Sequence, residues 1–214
     1  MEIEVWSDVV CPWCFIGKRR LERALKDAGI TDAHIVHRAF QLDPGATSDG
    51  HRTVEVIARK YGTDAAGAEQ MMGQVADVAA TEGLSYRLMD TTSGNTHVAH
   101  EVLLWAQDQD EKKSQELLEQ LYSAYFERAE PIFTAEELMP HVLAVGLDVG
   151  EAHAAIASGA YRGRVADDVD LARQFGATGV PFFVFDRQYG MSGAQPIETF
   201  ARTLREASAA GTGG

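Results

Sequence analysis

The stretch SDVVCPWCFIG, residues 7–17, contains both cysteines of the 214-residue chain, Cys11 and Cys14. The segment from Ile3 to Val10 mixes apolar residues with Ser7-Asp8, which predicts a buried strand that runs into a turn. The residues that follow predict an amphipathic helix, because Pro12 suits a first helical turn and leucines recur four positions apart among charges. The sequence therefore predicts a C-x-x-C dithiol at the junction between a strand and a helix.

The position of Cys11 at the start of this predicted helix favours nucleophilic chemistry. The first N–H groups of a helix have no backbone partner and form the positive end of the helix dipole, which stabilises a thiolate over a thiol. Because the thiolate is the form that attacks disulfides, Cys11 is the predicted nucleophile. Cys14 lies one turn further along, where it can resolve a mixed disulfide on Cys11. Lys18 and Arg19 are expected to add modest positive potential.

A C-x-x-C pair is also half of a zinc site, so metal binding is the competing interpretation. Zinc would need two further ligands from the seven histidines or from carboxylates. His97 and His100 lie three residues apart on one predicted helix, but the chain has no second cysteine pair and no H-E-x-x-H segment. We therefore predict a redox dithiol and no metal site.

The hydrophobic pattern changes twice along the rest of the chain. Residues 34–42 predict a second strand, which completes a strand–helix–strand unit. From about residue 50 to residue 160 the apolar spacing is helical, and it is clearest over residues 111–128. Strand and helix signals then return, as a helix over 165–175, a strand over 182–186, a short hairpin partner from 191 and a last helix over 196–204.

Charge and composition limit the classes of partner. The chain carries 19 basic and 32 acidic residues, a formal net charge of −13, which argues against non-specific binding to nucleic acid or an anionic membrane. No stretch approaches the roughly 18 apolar residues of a membrane span. The N-terminus has no signal-peptide pattern, so we expect a soluble, cytoplasmic protein whose lone dithiol is catalytic rather than structural.

Residues 7–17, taken together with Gly179-Val180-Pro181-Phe182-Phe183, resemble the DsbA-like thioredoxin superfamily. The similarity is strongest to its FrnE-type branch, described as polyketide-synthesis-linked dithiol–disulfide isomerases. This resemblance implies an α/β, thioredoxin-like fold with a large α-helical domain inserted between its two halves. The expected domains are residues 1–48 with 162–214 for the thioredoxin-like part and residues 49–161 for the helical insertion, in agreement with the change of period.

The resemblance also implies which residues surround the dithiol. It implies a cis Val180-Pro181 peptide beside the cysteines, with Pro181 part of the catalytic group. Sequence alone favours an ordinary strand-initiating proline at this position, since few X-Pro bonds in folded proteins are cis. The backbone of Val180 would pair with a substrate strand. Pro12 and Trp13 are expected to contact substrate, although Trp13 could equally pack under the helical insertion.

A second segment, Asn95-Thr96-His97-Val98-Ala99-His100, resembles a recurrent N-[ST]-x-x-A-H segment of this branch. Asn95 is expected to cap a helix, and Asn95 and His97 are candidate substrate-binding residues. The alternative is a capped helix that carries one core histidine and one surface histidine, and for the histidines the residues alone favour this alternative.

Together these features predict a thiol–disulfide oxidoreductase or isomerase that acts on a disulfide-containing protein or small molecule. No bound cofactor is expected beyond the Cys11–Cys14 disulfide, with glutathione a candidate reductant, and the protein is expected to be a monomer or homodimer. The alternative is a glutathione-dependent isomerase or transferase, similar to 2-hydroxychromene-2-carboxylate isomerases and kappa-class transferases. Those relatives usually have serine where this chain has Cys11. A non-catalytic binding module is the third possibility.

Overall fold

The structure is a computed structural model that describes residues 1–211. Its four strands are β1 (Glu2–Ser7), β2 (His34–Ala39), β3 (Phe182–Phe185) and β4 (Tyr189–Ser192). The α-helices of this part of the chain are α1 (Pro12–Asp27), α2 (Thr53–Tyr61), α3 (Ala65–Thr81), α4 (His97–Gln109), α5 (Glu111–Tyr122), α6 (Ala135–Ala144), α7 (Val149–Ser158), α8 (Arg162–Gln174) and α9 (Ile197–Gly211). This mixed α/β architecture confirms the predicted fold class.

The chain divides into two compact units. One, which contains all four strands, is formed by residues 1–42 and 166–214, and the other, which is helical, by residues 43–165. The domain boundaries expected from the sequence, after residues 48 and 161, stay a prediction. We refer below to the sheet unit and the helical unit.

The sheet has the strand order β2-β1-β3-β4. Strand β1 pairs in parallel with β2 and antiparallel with β3, which in turn pairs antiparallel with β4. All four side chains of β3 are buried, as expected for an inner strand of aromatic and β-branched residues. Its entry, at Pro181, therefore lies next to the carboxyl end of β1, because Trp6 is paired with Phe182.

Apolar side chains cover both faces of this sheet. On one face β1 and β3 pack against α1 and α9 through Ile3, Leu21, Leu25, Phe183, Phe185, Phe200 and Leu204. The other face has a smaller cluster of Trp6, Ala172, Ala177, Phe182 and Val184. Burial of a large apolar side chain contributes about 1.5–3 kcal/mol, so these two layers hold β1 and α1 in a fixed relation.

Polar groups on the second face join α8 to two strands. The indole of Trp6 donates to the carbonyl oxygen of Asp168 at 2.7 Å, and the backbone N–H of Ala39 donates to the Asp168 carboxylate at 2.9 Å. Nearby, the buried carboxylate of Glu4 accepts hydrogen bonds from the guanidinium groups of Arg38 and Arg187. Burial raises the pKa of Glu4, but the hydrogen bonds from Arg187 and Arg38 outweigh burial and hold that pKa below its ordinary value.

The helical unit is built around α4, which packs against α5, α6 and α7. The helical spacing of residues 111–128 places its apolar side chains in two buried rows, with Leu117, Leu121 and Tyr125 in one and Leu118, Tyr122 and Phe126 in the other. The predicted single helix over 111–128 is wrong in one respect, because after Tyr122 the backbone changes to a π turn over Ser123–Glu127. The hydroxyl of Tyr125 donates to the carbonyl oxygen of Thr92 at 3.0 Å, a tertiary contact that helps to offset this less favourable helical geometry.

Other boundaries also differ from the sequence prediction. Strand β1 covers Glu2–Ser7, so it begins one residue earlier than expected, and the expected turn follows it where the N–H of Cys11 donates to the carbonyl oxygen of Asp8. Helix α9 continues past Leu204 to Gly211, since Leu204 and Ala207 both pack into the sheet core. Within residues 1–211, no helix has the length and apolar character needed to cross a membrane.

Candidate active site

Cys11 occupies the N-cap of α1, where the chain leaves β1 and turns into the helix. Its backbone is extended, with φ −88° and ψ 110°, and Pro12 follows at the first helical position. The N–H of Cys14 donates to the carbonyl oxygen of Cys11 at 2.9 Å, which closes the first turn. Both cysteines are free thiols and both are buried, Cys11 at 3% exposure and Cys14 at 2%. The strand–helix junction predicted for the dithiol is therefore present.

The loop before β3 lies against the first cysteine. The Val180-Pro181 peptide bond is cis, as the family resemblance implied. The Sγ of Cys11 donates to the carbonyl oxygen of Val180 at 3.6 Å, so Cys11 and the predicted substrate-pairing residue are in direct contact. Within residues 1–211, no group accepts a hydrogen bond from the Val180 N–H. The residue Val180 as a whole is half-buried.

Gly17, to which the sequence analysis gave no role, sits directly under the proline. A Cβ at Gly17 would lie 3.1 Å from Cγ of Pro181 and 3.2 Å from Cζ of Phe183. These distances are shorter than ordinary carbon–carbon contact, so the absent side chain lets α1 approach β3. Gly17 stands in the motif where the sequence shows it, but the need for a glycine comes from a tertiary contact with Pro181, 164 residues further along the chain.

Cys14 is buried to the same degree as Cys11, and its surroundings disfavour ionisation. Burial raises the pKa of Cys14 well above the ordinary range, and the hydrogen bond and charge of Cys11 raise it further. The negative charge of Asp8 acts in the same direction, although a backbone hydrogen bond at Asp8 opposes it. The Asp8 carboxylate is itself buried and accepts from the N–H of Leu42 at 2.8 Å. Asp8 is thus a second site residue that sequence reasoning missed, since it was interpreted only as a turn residue.

Trp13 is exposed to solvent, whereas the basic residues Lys18 and Arg19 of α1 pair with an acidic side chain. Trp13 is 38% exposed, which makes it the outward-facing residue of the C-x-x-C segment, with Pro12 half-buried beside it. Lys18 forms an ion pair with Glu22, and Arg19 approaches the same carboxylate at 3.0 Å. The positive potential expected from Lys18 and Arg19 is therefore largely compensated within the helix.

Asn95 lies in the helical unit, and every polar group of its side chain is bonded to protein. Its amide Nδ2 donates to the carbonyl oxygens of Pro44 at 2.9 Å and Ala46 at 3.3 Å, while Oδ1 accepts from the N–H of His97 at 2.9 Å. The prediction that Asn95 caps this helix is off by one residue, because α4 begins at His97 with Thr96 as its N-cap. Its bonds are those of a residue that holds a loop, and substrate binding by Asn95 stays a prediction.

His97 also lies in the helical unit, in the first turn of α4. Its side chain is 33% exposed and its Nε2 is 3.5 Å from the carboxylate of Glu101, which is buried. Burial lowers the pKa of His97, and electrostatic interactions with His100 and Arg162 lower it further. His100 is fully buried, so the pair of histidines divides into one core and one partly exposed residue. Substrate binding by His97 is still a prediction.

In residues 1–211 there is no group of three or more histidine, cysteine, aspartate or glutamate side chains arranged to hold a metal ion. The chemistry of the site is that of two adjacent thiols, one at a helix N-terminus and one buried behind it, beside a cis-proline loop. A thioredoxin-like sheet that positions such a pair defines a dithiol–disulfide protein.

A family model, the DSBA-like thioredoxin domain, matches residues 2–205. The chain belongs to this family. Among solved structures, it is similar to a protein described as a probable DsbA oxidoreductase from Streptomyces coelicolor, with 38% identity and a TM-score of 0.90, over 98% of this chain and 90% of that chain. The search of curated proteins found no match.

Two more distant structures share the fold. A cytosolic disulfide reductase, DsbM from Pseudomonas aeruginosa, is 17% identical with a TM-score of 0.68, over 96% of this chain and 98% of that chain. A 2-hydroxychromene-2-carboxylate isomerase is 15% identical with a TM-score of 0.67, over 99% of this chain and 95% of that chain. At these identities the likeness concerns the fold alone, and this fold carries both disulfide and isomerase chemistry.

Proposed function

We propose that the protein is a thiol–disulfide oxidoreductase or isomerase in which Cys11 is the nucleophile and Cys14 the resolving thiol. The observation that carries this proposal is the asymmetry of the pair. Both thiols are buried, but Cys11 caps the helix and touches the cis-proline loop, whereas Cys14 lies one turn further along with a raised pKa. Cys11 therefore meets a substrate disulfide first, because it touches the loop proposed to bind substrate and the raised pKa of Cys14 keeps that thiol protonated.

The reaction proceeds by two exchange steps. The Cys11 thiolate attacks one sulfur of a substrate disulfide, forms a mixed disulfide and releases the other substrate sulfur as a thiolate, which takes up a proton. Cys14 then loses its proton and attacks the Cys11 sulfur, which releases the second substrate thiol. The substrate gains two electrons and two protons, and the protein is left with a Cys11–Cys14 disulfide.

The loop at Val180 supports a mode of substrate binding. Its N–H has no partner among the described residues and its carbonyl oxygen faces Cys11, so an extended substrate segment would pair here while its sulfur meets Cys11. Trp13, the exposed residue of the motif, would add an apolar contact. Backbone pairing reads no side chains, so such a site would accept substrates of varied sequence.

Regeneration of the dithiol needs a reductant, and we propose glutathione for this role. Two glutathione molecules would reduce the Cys11–Cys14 disulfide and leave as glutathione disulfide. A related DsbM structure was obtained with glutathione, which supports this choice. We also propose that the protein works in the cytoplasm, as DsbM does, and that it belongs to the FrnE-type branch. Thiol trapping in intact cells would test the location, since a cytoplasmic dithiol should be found reduced.

The deciding experiment is a redox titration of the purified protein in glutathione buffers, read by tryptophan fluorescence and by thiol trapping. We expect one two-electron transition between roughly −270 and −120 mV, a range in which low potentials indicate a reductase and high potentials an oxidant or isomerase. Absence of a disulfide at every potential would contradict the proposal. The glutathione-dependent isomerase would then become the leading candidate, and saturable glutathione binding would test it.

Two cysteine variants assign the roles. Cys14→Ser should accumulate a mixed disulfide with a model peptide disulfide, because the resolving thiol is gone. Cys11→Ser is the matched control, with the same substitution three residues away, and it should form no such adduct and show no turnover. Equal adduct formation by the two variants would show that Cys11 is not the nucleophile.

A further inference from the structure

A cavity separate from the dithiol lies entirely within the helical unit. It encloses about 270 Å³ and is bordered by the segment 43–51, by helix α2 and by Ser93. Pockets that hold small-molecule ligands typically span roughly 300–1,000 Å³, so this cavity suits a ligand at the small end of that range.

One wall of the cavity is held in place by Asn95. The Asn95 amide donates to the carbonyl oxygens of Pro44 and Ala46, and its backbone N–H donates to the hydroxyl of Ser48 at 3.0 Å. These bonds fix the 43–49 segment, so little conformational entropy would be lost when a ligand binds against it. Asn95, proposed from sequence as a ligand-binding residue, is thus placed to support such a site indirectly.

Three polar side chains that line the cavity keep hydrogen-bonding capacity that no protein group among the described residues fills. Within the described residues, the guanidinium of Arg59 makes no hydrogen bond or ion pair, and neither does the hydroxyl of Ser93. Asp43 uses one carboxylate oxygen to accept from the N–H of Gly45 at 3.1 Å, and its other oxygen accepts nothing there. By contrast, the Asp49 carboxylate accepts from nearby groups of its own loop.

Arg59 and Asp43 have opposite charges and line the same cavity, yet they form no ion pair with each other. We propose that the cavity binds a small zwitterion, a free amino acid or a short peptide. Its carboxylate would accept hydrogen bonds from Arg59, its ammonium group would donate to Asp43, and Ser93 would bind a polar atom between them. Val56 supplies an apolar surface for a small side chain. A planar guanidinium suits a carboxylate because it can donate two parallel hydrogen bonds.

This assignment needs no thiol chemistry, so its test uses a ligand without sulfur. Calorimetric titration of the full-length protein with alanylalanine should give saturable binding. N-acetylated alanylalanine, which lacks the ammonium group, and the dipeptide amide, which lacks the carboxylate, should each bind at least about tenfold more weakly, the scale of a lost charge-assisted hydrogen bond.

Protein variants test the two charges separately. Arg59→Gln should weaken the binding of alanylalanine by about tenfold and reduce the difference in affinity between alanylalanine and its amide. Asp43→Asn should also weaken the binding of alanylalanine by about tenfold, and it should reduce the difference in affinity between alanylalanine and its N-acetylated form. Lys60→Gln is the matched control, because Lys60 is the next residue of α2, carries the same charge and does not line the cavity. Its affinity should stay within about twofold of the unmodified protein.

No saturable binding of alanylalanine, or binding that is indifferent to both Arg59→Gln and Asp43→Asn, would overturn the assignment. Either result would leave the redox titration of the dithiol unaffected, so the two proposals fail separately. Circular dichroism of each variant should match the unmodified protein, since Arg59, Lys60 and Asp43 are all exposed.

Discussion

The Sγ of Cys11 lies 3.6 Å from the carbonyl oxygen of Val180, whereas burial and the neighbouring Cys11 raise the pKa of Cys14. The two thiols should therefore differ in reactivity towards an alkylating reagent. At neutral pH we expect Cys11 in a Cys14→Ser protein to react with iodoacetamide at least about tenfold faster than Cys14 in a Cys11→Ser protein. Each unit by which a thiol pKa exceeds the pH lowers its reactive thiolate fraction about tenfold. Mass spectrometry of timed, quenched samples measures both rates.

A variant of Asp8 tests the physical cause of the raised pKa of Cys14. Asp8→Asn removes a negative charge that raises the pKa of Cys14, while an asparagine oxygen can still accept from the N–H of Leu42. In the Cys11→Ser background this change should therefore speed alkylation of Cys14. An unchanged rate would mean that burial alone keeps Cys14 protonated.

The contact between Gly17 and Pro181 predicts an unusual response to alanine. In most helix interiors, a change from glycine to alanine stabilises the protein by up to about 1 kcal/mol. At Gly17 the new Cβ would lie 3.1 Å from Pro181 and 3.2 Å from Phe183, so one of these buried groups must move. We expect Gly17→Ala to lose this gain and to slow disulfide exchange, because it displaces the loop that contacts Cys11.

Gly73 is the matched control for this substitution. It lies in the interior of α3, and a Cβ there would meet no atom within 4 Å. Gly73→Ala should raise the free energy of unfolding in urea and leave the exchange rate unchanged. Gly17→Ala could instead stabilise the protein as much as Gly73→Ala does and leave the rate of disulfide exchange unaffected. That result would show that the close packing of α1 on Pro181 does not contribute to disulfide exchange.

The ion cluster at Glu4 predicts a dependence of stability on pH. The carboxylate is 1% exposed and bonds to Arg38 and Arg187, and its pKa is lowered in the folded protein. Its contribution to stability is therefore present above the pKa of an unfolded glutamate, about 4.3, and is lost as the pH falls through the lower, folded value. Glu4→Gln should reduce the free energy of unfolding by about 2 kcal/mol at pH 7, allowing for the partial exposure of both arginines.

Urea unfolding at a series of pH values tests this expectation. The curves for Glu4→Gln and the unmodified protein should converge in acid, where Glu4 is protonated. Glu22→Gln is the control, since Glu22 pairs with Lys18 and Arg19 at the surface and should change stability by less than about 1 kcal/mol. A constant difference between Glu4→Gln and the unmodified protein at every pH would exclude Glu4 ionisation as the cause.

The sequence predicts an element well where the residues that determine it lie within one short segment. The helix after Cys11, the buried ridges of residues 111–128 and the aromatic strand after Pro181 all follow from local spacing of apolar residues. The cis isomer of Pro181 did not follow from spacing, because local sequence leaves most X-Pro bonds trans. It was inferred only from the family resemblance.

Roles that depend on distant residues were not predictable in the same way. Gly17 matters because Pro181 lies on top of it, and Asp8 because the backbone of Leu42 donates to it. The π turn after Tyr122 likewise contains a residue with a distant partner, since the hydroxyl of Tyr125 donates to the carbonyl oxygen of Thr92. In each case the determining partner is more than thirty residues away, so no pattern within a single element identifies it.

Asn95 yields the last prediction, because its structural and its substrate-binding roles have different signatures. Asn95→Asp keeps an oxygen to accept from the N–H of His97 but removes the donors to Pro44 and Ala46 and places a charge beside their carbonyl oxygens. If Asn95 holds the 43–49 segment, the variant should lose about 1–3 kcal/mol of stability, the scale of two hydrogen bonds. Amide hydrogen exchange should also speed up within that segment. If Asn95 binds substrate instead, the KM for a disulfide substrate should rise while the stability and the exchange of residues 43–49 stay unchanged.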